Sequence, residues 1–126
     1  MKKYSIILVR SLLGLIFTVF GLNGFLHFIP TPPMAGLVGD MMGVYMKMGY
    51  MFPLIFGTQF VGGILVLTNV FAPLGLTLLA PVIVNILCVH LFIEPQGLGM
   101  AIFVVLAEIF LAYSYRDKFA PLFKMR

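Results

Sequence analysis

The chain has very little charge: Asp, Glu, Lys and Arg together make up 10% of its 126 residues, whereas 62% are hydrophobic. Soluble domains typically contain about 25% charged and about 45–50% apolar residues. So few charged side chains cannot cover a globule in water, and a lipid bilayer is therefore the expected solvent. No composition shift or flexible linker marks a boundary, so residues 1–126 are predicted to form a single domain.

Cysteine is almost absent. Cys88 is the only one, and it lies within an apolar run. An internal disulfide and a CxxC redox pair are therefore excluded. The chain has no recognisable catalytic constellation either, which favours a non-enzymatic role.

The net charge of +4 does not indicate a nucleic-acid partner, because most basic residues lie near the two ends of the chain: Lys2, Lys3, Arg10, Arg116, Lys118, Lys124 and Arg126. Clusters of this kind set the orientation of a membrane protein. They predict that both termini lie in the cytoplasm.

Four apolar runs are long enough for transmembrane helices, which need about 20 residues; they cover residues 5–29, 51–69, 73–93 and 98–115. The first resembles a signal peptide at its basic start, but the apolar run is longer than a cleaved h-region of about 7–15 residues. The breaks PTPP, TNVFAP and EPQGLG contain residues typical of turns. The sequence therefore predicts an all-α fold, an integral membrane up-down four-helix bundle.

The first connection has an apolar pattern of its own over residues 32–49. Thr31 can cap a helix whose first turn tolerates Pro32 and Pro33. One predicted side is apolar and carries Met34, Leu37, Val38, Met41, Val44, Tyr45 and Met48. The opposite side carries Gly36, Asp40, Gly43 and Lys47. This spacing predicts a short amphipathic helix that lies on the outer membrane surface or folds back over the bundle; an irregular loop is the alternative.

Two charged residues are predicted to lie inside the membrane towards the cytoplasmic side. Arg10 lies about one turn into the first span, and Glu108 about two turns from the end of the fourth. These depths predict a structural ion pair between them. A proton-handling carboxyl group and an arginine that reaches the membrane surface are the alternatives.

A second polar group is predicted to lie nearer the outer face. Its members are the candidate ligand-binding residues Asn23, His27, Gln59, Asn85 and His90. Asn23 and His27 share a side of the first helix because they are four residues apart. Hydrogen bonds between helices are the simplest role for this group. Two facing histidines could instead hold haem b, or a metal together with Glu94, although no metal site is predicted.

Several stretches resemble the DoxX family of small bacterial membrane proteins: GLNGFLHFIPTPPM, GYMFPLIFGTQFVGGILVLTNVFAPLGL, APVIVNILCVHLFIEP and LAEIFLAYSYRDKFAPLF. The resemblance covers nearly the whole chain. It implies four transmembrane helices in a bacterial inner membrane. Some members of the family are subunits of quinone-linked oxidoreductase systems, and a distant animal relative is a receptor chaperone. Related sequences often have glutamate at the position of Gln59. The resemblance does not assign a catalytic role to any residue of this chain.

Two functions are compatible with these observations. The first is an assembly, stabilising or accessory subunit that binds a protein partner or a second copy of the chain, which the glycine-rich helix faces and the amphipathic helix favour. The second is a quinone-linked electron-transfer subunit or a binder of small hydrophobic molecules. In that case Asn23, His27, Asn85 and His90 would line a pocket near the outer leaflet. Transport is a third, less favoured hypothesis.

Overall fold

The computed structural model describes residues 2–26, 36–93, 95 and 98–123, and these residues form an all-α fold as predicted. In chain order the helices are α1 (Lys2–Leu26), α2 (Gly36–Met48), α3 (Met51–Thr68), α4 (Ala72–Phe92), α5 (Leu98–Ser114) and α6 (Arg116–Phe119), followed by a 3₁₀ turn at Ala120–Phe123. The predicted ranges 51–69, 73–93 and 98–115 agree closely with α3, α4 and α5. The end of the first predicted span and the predicted cap at Thr31 lie outside the described residues.

Three of these helices, α1, α3 and α4, are long and apolar enough to cross a membrane. A fourth crossing is possible only if α5 is counted together with the segment Arg116–Leu122 that follows it. The two parts of this pair are bent by 76° relative to each other. The described chain is thus compatible with three or four membrane crossings.

The connection between α3 and α4 is short because two residues adopt left-handed backbone conformations. Asn69 has φ 60° and ends α3, and its N–H donates to the Val66 carbonyl at 3.3 Å. Asparagine adopts this conformation more readily than most residues. Phe71 follows with φ 54°, and Pro73 lies in the first turn of α4, where its missing N–H is not needed. The predicted break therefore reverses the chain within three residues.

The antiparallel contact between α1 and α3 depends on glycines. A Cβ atom on Gly14 would lie 2.5 Å from the Leu67 nitrogen, and one on Gly63 would lie 2.5 Å from the Thr18 nitrogen. Both distances are too short for any side chain, so these positions bring the two backbones together. Small residues allow such an approach in apolar surroundings, where dispersion contacts hold helices together.

A hydrophobic core joins α1, α3, α4 and α5. Its buried members are Leu13, Phe17, Val66, Leu76, Leu79, Ile83, Val104, Ala107 and Leu111. The core occupies the interior faces of the four long helices. Two concave regions lie beside it, one along residues 82–90 of α4 and the other along residues 76–80.

Candidate functional site

A cavity of about 170 Å³ lies between α2, α3 and α4. Its walls are mostly apolar and aromatic, but three polar side chains also line it: Gln59 from α3, and Asn85 and His90 from α4. We refer to this cavity as the α2 pocket. Packing of α3 on α4 places Gln59 in the same cavity as Asn85 and His90, although it lies 26 residues before Asn85 in the sequence.

Gln59 is the most deeply placed of the three. It is 8% exposed, which makes it the one buried polar residue among those described. A side-chain amide offers two donors and an acceptor, so Gln59 can form hydrogen bonds with a polar group inside the pocket that it lines.

An aromatic wall forms the side of the pocket next to α2. Phe52 and Phe56 stack with their ring centroids 5.6 Å apart, and Tyr45 meets Phe52 edge-on at 6.0 Å. All three residues line the cavity. Aromatic faces of this kind favour planar or apolar ligand groups.

Helix α2 covers the pocket as a partial lid. Met41, Met42 and Tyr45 reach the cavity, and Val38 is 4% exposed. In contrast, Leu37 and Val44 remain 62% and 54% exposed, so only part of the predicted apolar side packs inward. Methionine side chains adapt easily to irregular shapes, so Met41 and Met42 can fill an uneven surface at this side of the pocket.

Three of the five predicted ligand-binding residues therefore meet in one pocket. Asn23 is not among the residues that line the α2 pocket. His27 lies outside the described residues, as does Glu94, so the haem and metal hypotheses that need them stay predictions. Among the residues that the structure does describe, no three His, Cys, Asp or Glu side chains are grouped for a metal ion. The aromatic wall was not predicted, although the four-residue spacing of Phe52 and Phe56 could have revealed it.

Arg10 does not form the ion pair predicted for it. Its Nη1 donates hydrogen bonds to the Val66 carbonyl at 2.9 Å and the Leu67 carbonyl at 2.8 Å. Carbonyls in the last turn of a helix lack partners within the helix, and a cation there also complements the helix dipole. Because Gly14 packs on Leu67, Arg10, one turn earlier in α1, lies beside the end of α3 rather than beside Glu108.

Glu108 is left without Arg10 as a partner. Its Oε1 atom is buried and has no hydrogen-bond partner in the described part of the chain. Both residues lie within apolar helices, but Arg10 binds the end of α3 and not the Glu108 carboxyl group.

Comparisons with known proteins do not assign this chain to a family. No family model matches the chain, and searches of curated proteins and of solved structures give no significant match. The DoxX resemblance thus rests on the sequence stretches quoted above and stays a prediction. The chemistry of the α2 pocket has to be argued from its own residues.

Proposed function

We propose that this chain is a multi-pass membrane protein that binds a small, mainly apolar molecule through a hydrogen-bonding head in the α2 pocket. The observation that carries this proposal is the convergence of Gln59, Asn85 and His90 in an otherwise apolar cavity. Small-molecule sites typically combine apolar walls with a few polar groups that fix the orientation of the ligand.

The volume of the pocket limits the size of the ligand that it can enclose. A volume of about 170 Å³ is below the range of roughly 300–1,000 Å³ found for drug-sized ligands. It suits a single ring, with any tail extending out of the pocket. A benzoquinone head fits these requirements, because its ring can stack on Phe52 and Phe56 while its carbonyls accept hydrogen bonds from the amides of Gln59 and Asn85. An electron-transfer role would further require a redox partner.

The accessory-subunit hypothesis has less support. The glycine-rich helix faces favour this hypothesis only if they are free to contact another protein. However, Gly14 and Gly63 pack against α3 and α1 of the same chain. These glycines therefore provide no free face for another protein. Side chains such as Leu106 and Ile109 are 60% exposed, but in a bilayer lipid would cover them as readily as a partner would.

The proposed arrangement in the membrane is a DoxX-like four-helix bundle in which α5 and the segment after it form the fourth span. The basic residues near both ends favour cytoplasmic termini. The α2 pocket would then open towards the outer leaflet of a bacterial inner membrane. Single cysteines that replace Asp40 or Lys47 in a Cys88→Ser background should react with an impermeant reagent added to intact cells. Labelling only from the inside would show that the chain has the opposite orientation.

The binding proposal is tested by what the gently purified protein retains. We expect mass spectrometry of an organic extract, with an ultraviolet spectrum, to show one apolar molecule in near-stoichiometric amount. Gln59→Leu should lose it because the buried amide is removed. Thr58→Val is the matched control, since the Thr58 hydroxyl bonds to the Leu54 carbonyl of its own helix at 2.7 Å. Only bulk phospholipid in all three extracts would contradict the proposal.

A further inference from the structure

A second concave region lies between α4, α5 and the segment that bends away after α5. It is an open groove of about 560 Å³ with largely apolar walls, formed mainly by Leu76, Ala80, Ala112, Phe119 and Leu122. The 76° bend after α5 creates its third wall. We call it the Glu108 groove, and it shares no lining residue with the α2 pocket.

Glu108 is the acidic residue of this groove. Its Oε1 is buried without a hydrogen-bond partner in the described chain, and Arg10 is bound to the carbonyls of α3 instead. A carboxylate in apolar surroundings is costly unless a cation or hydrogen-bond donors compensate its charge. The terminal torsion of a glutamate side chain is broad, so either oxygen can be turned towards a bound group.

Another residue of the groove, Thr77, has a backbone carbonyl that lacks its usual donor. Thr77 lines the groove, and the residue four positions later is Pro81, within helix α4. Because proline has no N–H, it cannot donate to the Thr77 carbonyl as the helix pattern requires. The Thr77 hydroxyl does not compensate for this, since it donates to the Pro73 carbonyl at 2.9 Å.

Arg116 is the other charged residue that lines the groove, and it is already engaged. Its Nη1 donates to the Tyr113 carbonyl at 3.0 Å, and its guanidinium carbon lies 4.4 Å from the centre of the Tyr113 ring. Arg116 is also exposed, so solvent screens its charge. Arg116 is therefore not the partner of the Glu108 carboxyl group, which stays open to another cation.

We propose that the Glu108 groove binds a hydrophobic monocation, namely a protonated amine on an apolar body. The ammonium group would pair with the Glu108 carboxylate and donate a hydrogen bond to the Thr77 carbonyl. The apolar body would lie against the alanine and leucine side chains of the groove. This inference is independent of the function proposed for the α2 pocket, because different residues and a different ligand charge are involved.

The test compares two probes that differ in charge but share a shape. Binding of 1-adamantylamine and of uncharged 1-adamantanol to the full chain in detergent would be measured at neutral pH by isothermal titration calorimetry. We expect the amine to bind saturably, one per chain, and at least about tenfold more tightly than the alcohol, as a hydrogen bond to a charged group allows. Glu108→Gln should weaken binding of the amine at least about tenfold and leave binding of the alcohol unchanged.

Two further variants serve as controls for this test. Asp117→Asn removes a carboxylate that is exposed on α6 and should leave binding of the amine as in the wild type. If Glu108→Gln does not fold, Ala112→Leu, which fills the groove, replaces it and should weaken binding of the amine. The proposal is overturned if the wild type shows no saturable binding, if both probes bind alike, or if the folded variant binds the amine like the wild type.

Discussion

The α2 pocket and the Glu108 groove differ in the kind of polar group that each presents. The pocket combines neutral amides and an imidazole in about 170 Å³, whereas the groove presents a carboxyl group in about 560 Å³. Helix α4 contributes to both regions. If both proposals hold, one apolar scaffold carries two sites whose ligands differ in charge, because neutral donors suit a neutral head and a carboxylate suits a cation.

The largest expected effect comes from disturbing the scaffold that both regions share. Gly14→Ala places a Cβ atom 2.5 Å from the Leu67 nitrogen, so α1 must move away from α3. We expect the free energy of unfolding to fall by about 3 kcal/mol, the upper end of the usual cost of overpacking, with loss of binding in both regions. Denaturation of the protein in detergent measures this change.

Gly43→Ala is the matched control, because no atom lies within 4 Å of a Cβ built at Gly43. Alanine favours helix, so this variant should gain about 0.5–1 kcal/mol. Equal effects of the two substitutions would show that the close approach of α1 and α3 is not essential.

Arg10→Met tests whether Glu108 is independent of Arg10. The variant removes the donor to the Val66 and Leu67 carbonyls, and hydrogen bonds from charged groups contribute about 1.5–3 kcal/mol. We expect a loss of that size, and an additive effect within about 0.5 kcal/mol when Glu108→Gln is combined with it. A coupling energy between the two substitutions well above this value would show that Arg10 and Glu108 do form an ion pair.

Gln59→Leu should separate binding from stability in the α2 pocket. The substitution replaces a buried amide by an apolar group of similar size, so the free energy of unfolding should be unchanged or rise by about 1 kcal/mol. Chemical denaturation in detergent provides the comparison with the wild type. A loss of several kcal/mol would instead indicate that the amide stabilises the fold.

The smallest effect is expected at the exposed contact between Tyr115 and Asn69. The Tyr115 hydroxyl donates to Asn69 Oδ1 at 3.3 Å, and the contact is open to solvent. Tyr115→Phe should therefore change the free energy of unfolding by no more than about 0.5 kcal/mol. A shift in ligand binding in either region would mean that this contact positions α5.

The helices could be predicted from the sequence because the length of each apolar run and the turn residues between the runs determine where a helix begins and ends. Gln59, Asn85 and His90 could also be identified, since polar side chains stand out in apolar runs. The partner of Arg10 could not, because depth along a helix does not say which neighbour lies beside it, and unpaired carbonyls occur at every helix end. The Glu108 groove depends on the bend after α5, an angle that sequence periodicity does not contain.

Titration of the full chain with duroquinone, a single-ring quinone, tests whether the α2 pocket is a ligand site. We predict saturable binding by the wild type and by Thr58→Val, and binding at least about tenfold weaker by Gln59→Leu, because one buried hydrogen bond is lost. Equal binding by Gln59→Leu and the wild type, or no saturable binding by the wild type, would mean that the α2 pocket does not bind a quinone head through Gln59.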